Sequence, residues 1–286
     1  MNFSAPMPFL DALAAVRARK LLPTTGNSFD LRKLAPEIRE LAQFSARTND
    51  ARYLQTISDV VTRLVSPETV DGRPAQPGEY MNPTYARTGL QEALQSLGYH
   101  PGTDPNHPEV GSLQDLSSDA RVDLIVQTQT DLARGRGKFE HDRDPDVLEA
   151  YPAQELYRLE ATKVQRNWAQ RWAAAGGQFF GGRMIALKGA EVWQNLGDGE
   201  GGYEDTLGLP YPPFAFNSGM WVEDISREEA IGLGLLSGDD VVEPAPDRGW
   251  GDSLQAGVKG LSDALQQALL QATPGTRIID GILSFG

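Results

Sequence analysis

The chain has no cysteine, and only three of its 286 residues are histidine. The absence of cysteine excludes disulfide bonds, thiolate metal sites and cysteine-based catalysis, and it fits synthesis in a cytosol. Long apolar runs are also missing, because no stretch approaches the roughly 18 residues that a membrane-spanning helix needs. The segment Met1–Leu10 lacks the basic and apolar regions of a signal peptide. We therefore expect neither a membrane span nor a secretory leader.

The chain also has few basic residues. It contains 26 lysines and arginines but 39 aspartates and glutamates, which gives a net charge of −13. A surface this acidic repels a phosphate backbone, so we expect no direct binding of nucleic acid. The densest basic cluster is formed by Arg134, Arg136 and Lys138. We interpret it as a solvated helix end, where cations interact favourably with the helix dipole.

The first hundred residues carry helical signals. Seven apolar residues recur at the spacing of one helix face, namely Tyr53, Leu54, Ile57, Val60, Val61, Leu64 and Val65. Asn49 or Asp50 is placed to cap the start of this helix. Weaker patterns predict further helices over 10–20, from Pro36 onwards and over 85–97. An N-terminal helical bundle spanning 1–98 is the simplest packing for these pieces.

Two stretches interrupt the rest of the chain. Residues 98–116 are too rich in proline and glycine to continue a helix, and residues 239–251 form an acidic, proline-containing linker. We therefore predict a mixed domain over 115–235, followed by a segment over 236–286 made of a linker, an amphipathic helix and a β-prone tail. The predicted fold class is α+β and predominantly α-helical, with a small sheet in the mixed domain.

The mixed domain alternates between helical and strand-like patterns. The first predicted element is a helix that starts at Ser117 or Ser118 and ends at Gly135. A helical segment with surface ion pairs at Glu155, Arg158 and Glu160 comes next, followed by a helix through Trp168 and Trp172. A short buried strand over Met184–Leu187 and a helix opened by the capping box Ser226–Glu229 complete the pattern.

A segment rich in proline and aromatic residues, PYPPFAFNSGMW, precedes the last of these helices and runs from Pro210 to Trp221. Its prolines stiffen the backbone and its aromatics offer large apolar area, so it suits docking into a preformed groove. That groove belongs either to the same domain, as an extended arm, or to a partner protein. The candidate interaction residues are Trp193, Tyr211, Pro212, Pro213, Phe214, Phe216 and Trp221.

Candidate catalytic groups are sparse. His100 and His107 flank Asp104 in a proline-rich loop, and His141 lies beside several aspartates. A hydrolytic metal site is one interpretation and exposed loop histidines are the other, which we favour because the spacing fits no helix or strand face. The nucleophile elbow, the phosphate loop and the zinc-protease motif are absent from the sequence. We expect no catalytic site, no metal and no cofactor.

Three segments occur in an order that resembles the phage Mu F-like minor-head family, also called the head-morphogenesis family. They are RVDLIVQTQTDLARG (121–135), RMIALKGAEVWQNLG (183–197) and LPYPPFAFNSGM (209–220). The family's Ile-Ala-Arg-Thr-Glu helix corresponds to 125–129, and its apolar-Leu-Asp/Lys-Gly core to 186–189. The closing Asn-Cys-Arg-Cys of the family is replaced by Asn217-Ser218-Gly219-Met220, which removes any cysteine-dependent structure.

The resemblance covers about 115–235 and implies a non-enzymatic structural protein of a bacteriophage virion. Such a protein associates with the portal, the neck or the inner capsid, and acts in head assembly or in retaining or delivering the genome. Its expected partners are portal, capsid or neck proteins, with homo-oligomerisation as an option. Its expected locations are the virion and, during assembly, the host cytoplasm. The alternatives are a metal-dependent hydrolase using the histidines and a neck or connector adaptor.

Overall fold

The computed structural model describes residues 10–26, 31, 33–35, 38–39, 42–65, 83–101, 110–161, 165–246, 255–258, 261–272 and 275–284. The chain divides into a first unit, 1–134 with 249–286, and a second unit, 135–248. These bounds differ from those predicted: the C-terminal segment belongs with the N-terminal residues, and the boundary at 134 falls inside a helix. The coarse class is α+β, as expected.

Among its described residues, the first unit contains the helices α1 (Leu10–Ala18), α2 (Ala51–Val65) and α3 (Pro83–Ser96) and the start of α4 (Asp119–His141). The predicted stripe on α2 is confirmed, because six of its seven apolar residues are buried. They pack with residues of α1, α3 and α4 in one apolar cluster. Asp50 caps α2, since its Oδ1 accepts a hydrogen bond from the Arg52 amide.

A second apolar cluster joins the two ends of the first unit. Strands β7 (Gln255–Gly257), β8 (Arg277–Ile279) and β9 (Ile282–Ser284) form an antiparallel sheet in the order β7-β9-β8. Helix α9 (Asp263–Ala272) buries Leu265 and Leu269 against residues such as Leu34 and Ile38. The short strands β1 (Lys20–Leu21) and β2 (Ala42–Gln43) pair in parallel. The helix predicted from Pro36 lies largely outside the described residues.

The second unit is built on a four-stranded antiparallel sheet with the order β4-β5-β3-β6. Its strands are β3 (Ala153–Arg158), β4 (Phe179–Phe180), β5 (Arg183–Leu187) and β6 (Met220–Ile225). Its helices, after the end of α4, are α5 (Pro145–Ala150), α6 (Trp168–Ala174), α7 (Glu191–Asp198) and α8 (Arg227–Gly232).

The two faces of this sheet bury different clusters. On the inner face, Leu156, Val222 and Ala186 pack with the tryptophans of α6 and α7. On the outer face, Ala153, Ile185 and Ile225 pack against α8 through Ala230. The capping box is confirmed, because Ser226 Oγ accepts a hydrogen bond from the Glu229 amide.

Two predictions about this unit are wrong. The helix expected to end at Gly135 continues to His141. The glycine at position 135 does not stop the helix but allows a close backbone contact, which is described below. The helical segment expected around Glu155 and Arg158 is the strand β3, which pairs with β5 on one side and β6 on the other. Long-range pairing thus overrides the helix preference of Ala, Gln, Glu and Leu in AQELYR.

Candidate functional site

The proline and aromatic segment lies inside the second unit. Trp193 and Phe214 are 1% and 0% exposed, and their ring centroids are 6.0 Å apart. Tyr211, Pro212 and Pro213 are buried as well. These five candidate interaction residues therefore build the core of their own unit and present no surface to a partner, so the same-domain alternative describes them.

The same segment is not an extended arm. It turns back on itself, with Phe214 at a φ of 57° and a bridge between Thr206 and Ala215. Only Phe216 and Trp221 among the candidate interaction residues are half-buried and keep part of their surface accessible.

Two glycines let the chain pass close to this segment. A Cβ atom on Gly135 would fall well inside van der Waals contact of the Pro212 carbonyl oxygen, and one on Gly197 would do the same at Leu209. Both glycines are inside helices, where a glycine costs about 1 kcal/mol relative to alanine. Close backbone packing explains why glycine stands at both positions. The only sequence signal for this packing is a glycine within a helical pattern.

Four charged side chains form a closed network behind the segment. Lys188 Nζ lies 2.7 Å from both Asp142 Oδ1 and Asp224 Oδ1, and Lys138 Nζ lies 2.6 and 2.7 Å from the same two atoms. Lys188 is 3% exposed, so its ammonium depends on these carboxylates for neutralisation. The Oε1 atom of buried Gln154 has no protein partner and lines an adjoining cavity of about 20 Å³.

The pKa of Asp224 reflects this network. Burial alone raises the pKa, but hydrogen bonds and charge from Lys138 and Lys188 outweigh it and lower the pKa below its ordinary value. The predicted solvated helix end is wrong for two of its three members. Lys138 belongs to the network, and Arg136 is 3% exposed and pairs with Glu140.

Two arginines bind the carboxylate of Asp205 near the end of the segment, and a third arginine binds the loop beside it. Arg171 binds Asp205 through two hydrogen bonds of 2.8 and 3.1 Å and lies over the rings of Trp168 and Tyr203. Arg166 binds Asp205 at 2.8 Å and donates to the carbonyls of residues 216 and 217. Arg158 donates to the Ser218 carbonyl at 3.4 Å. The cluster holds the 216–218 loop in place.

The outer face of the sheet carries a row of side chains that spans all four strands. The pairing register aligns Trp221 with Tyr157, and Phe180 with Arg183; extending the β3–β5 register by one residue places Tyr157 opposite Arg183. We call Phe180, Arg183, Tyr157 and Trp221 the outer-face row. All four are half-buried. Sequence reasoning identified only Trp221, because the alternation of β3 was not recognised.

Charged residues flank the outer-face row. Arg183 donates to Glu155 at 2.5 Å and to Glu229 at 2.6 Å, and both it and Glu229 are about two-fifths exposed. Glu223 is exposed on β6, opposite Glu155. The pKa of Tyr157 is raised, first by burial and then by the charge of Glu223, which agrees with their sharing one face.

A wider cleft of about 540 Å³ lies between α5 and residues 238–244. Two of its cations already have partners: Arg143 donates to the Ala245 carbonyl, and Arg227 donates to the carbonyls of Glu149 and Asp240. These hydrogen bonds from Arg143 and Arg227 attach residues 238–245 to the rest of the unit.

Two of the three histidines, His100 and His141, lie in the part of the chain that the structure describes. Within it, no group of three or more histidine, aspartate or glutamate side chains has the geometry to hold a metal ion. His100 is exposed, His141 ends α4, and His107 and Asp104 lie outside the described residues. In the same described part, none of the helices is both long and apolar enough to cross a membrane.

Comparison of the chain with protein-family models, with curated proteins and with solved structures found no match.

Proposed function

We propose that this chain is a structural minor head protein of a bacteriophage. It acts by binding other virion proteins at the portal, the neck or the inner capsid, in head assembly or in retaining or delivering the genome. The protein is located in the host cytoplasm during assembly and in the virion afterwards. In this proposal residues 115–235 are the head-morphogenesis domain, and the helical residues 1–98 are an extension that precedes it.

One observation carries the proposal. Two of the three segments that resemble the head-morphogenesis family contact the third segment through a glycine. The first segment ends at Gly135, which contacts Pro212 in the third, and the second ends at Gly197, which contacts Leu209 in the third. Motifs that share only a chance resemblance have no reason to interlock through positions that tolerate no side chain, so this packing supports treating them as one inherited unit.

The chemistry of the second unit also fits a binding role. Its buried charges are engaged with one another, as in the network of Lys188, Asp142 and their partners. Its outer face instead offers aromatic side chains, which are enriched where proteins associate.

The test uses the virion itself. Particles of the phage that encodes this chain are purified on a density gradient, and the protein is sought by mass spectrometry in heads, in empty proheads and in the unassembled fraction. We expect it in heads or proheads at a few copies per portal ring. A full-length protein found only in the unassembled fraction would contradict the proposal.

A second readout identifies the partner. The purified chain is mixed with portal rings and, separately, with the major capsid protein of the same phage, and binding is followed by sedimentation. We expect association with the portal. Portal and terminase genes beside the gene for this chain would be the expected genetic context.

A further inference from the structure

The outer-face row keeps part of its surface accessible, because each of its four residues is only half-buried. The outer-face row crosses four strands, roughly 15 Å, which is the length of four or five extended residues. Helix α8 reaches the row at its β4 and β5 end, where Phe180 packs against the cluster around Ala230 and Arg183 binds Glu229. The aromatic side chains at the other end of the row are Tyr157 and Trp221. Beyond β3, Leu159 adds an apolar side chain that is 57% exposed.

The charge of this face determines what would bind it. Among the described residues around the row are three carboxylates, Glu155, Glu223 and Glu229, and one cation, Arg183, which already engages two of them. The second unit as a whole has twenty acidic and eleven basic residues. Exposed Trp and Tyr rings attract cations through their faces. Acidic and aromatic groups together favour a cationic partner.

A second copy of this chain is the less suitable occupant. With a net charge of −13, two copies repel each other, and identical faces would place like charges opposite one another. A partner rich in lysine and arginine would instead gain from the same field.

We infer that the outer-face row is the docking site for an extended segment of another protein in which lysine or arginine alternates with apolar residues. The apolar side chains pack on Trp221 and Tyr157, and the cations reach Glu223 and the ring faces. The inference deepens the proposed function, on which it rests only in taking the partner to be a protein.

The test measures fluorescence anisotropy of a short labelled peptide in which lysine and arginine alternate with leucine, titrated with the full chain. A twin peptide with glutamate in place of each cation is the comparison. We expect binding of the cationic peptide alone, weakened when the salt rises from about 50 mM to about 500 mM.

Variants locate the site. We expect Trp221→Ser to weaken binding roughly tenfold. Glu223→Lys, at an exposed position whose change leaves the core intact, should weaken it about fivefold. The matched control is Phe179→Ser, because Phe179 is 44% exposed on the same sheet but points to the opposite face from its neighbour Phe180.

Three outcomes overturn the inference: equal binding of the acidic twin, an effect of Phe179→Ser as large as that of Trp221→Ser, or a dimer of the chain that Trp221→Ser dissociates. No phage component enters this assay. Failure here therefore leaves the virion proposal standing, and absence from virions leaves the peptide result standing.

Discussion

The two units are stabilised in different ways. The first unit buries apolar stripes on helices, as α2 does with Ile57 and Val61 at its centre. The second unit depends on backbone contacts that exclude a side chain, at Gly135 and Gly197, and on charges buried beside one another, at Lys188 and Asp142.

This difference has a physical origin. A helix stripe requires only that residues three and four apart be apolar, so many substitutions preserve it. A glycine against a carbonyl or a lysine against a buried carboxylate accepts almost none, because one added or removed group leaves a clash or an uncompensated charge. We therefore expect the second unit to be the more sensitive of the two to small chemical changes.

The largest expected effect is loss of an aromatic ring from the core of the second unit. Phe214→Ala should lower the free energy of unfolding by about 4 kcal/mol, because it leaves a cavity against Trp193. The half-buried Phe216→Ala should cost less than about 1 kcal/mol. Urea denaturation followed by tryptophan fluorescence measures both.

Phe214→Ala can also be combined with Trp193→Ala. Since both side chains are buried, we expect the double variant to unfold the second unit. A double variant that folded with native stability would contradict the expectation that the second unit is the more sensitive of the two.

The next effect concerns the charge network. Lys188→Met should destabilise the protein by about 3 kcal/mol, because it removes one of two cations from buried Asp142. Combining it with Asp142→Leu should recover part of the loss, since Lys138 and Asp224 remain as a neutral pair. Thermal unfolding of the single and double variants decides this, and a double variant no more stable than the single one would refute it.

A pair of glycine substitutions compares the units directly. Gly135→Ala should cost about 2 kcal/mol, because the new methyl group meets the Pro212 carbonyl. Gly89→Ala, in α3, has open space and should instead stabilise by up to about 1 kcal/mol through helix propensity. Chemical denaturation gives both values, and equal signs would contradict the comparison.

The smallest effect is a pH dependence specific to the network. The folded pKa of Asp224 lies below its usual value of about 3.9, so its stabilising contribution is complete above that value and is lost as the pH falls through the folded pKa. Asp224→Asn should therefore destabilise the protein at pH 7, by less than about 1 kcal/mol, and this effect should shrink as the pH falls through the folded pKa. The difference in urea midpoint across this range tests it, and a pH-independent difference would argue against the assignment.

What the sequence predicted correctly is local. The stripe of α2, the cap at Asp50, the strand over Met184–Leu187 and the capping box at Ser226 each depend on residues within one or two turns. The β-prone tail also formed strands, β8 and β9.

What the sequence did not predict depends on distant partners. The sequence of β3 favours a helix, and only its pairing with β5 and β6 makes it a strand. Gly135 likewise indicates a helix end, and only its contact with Pro212 explains a glycine inside the helix. The same holds for the candidate site. Trp221 was identified by its type, but Tyr157 and Arg183 join it only through the register of three strands.

The second apolar cluster of the first unit has a consequence for biosynthesis. Leu34 and Leu283 belong to this one cluster, although the whole second unit separates them along the chain. At about 5 to 20 residues per second, a ribosome needs roughly 10 to 50 s to make the intervening polypeptide. Over that interval the nascent residues around Leu34 lack the C-terminal partners that bury them, and the whole second unit is synthesised before those partners.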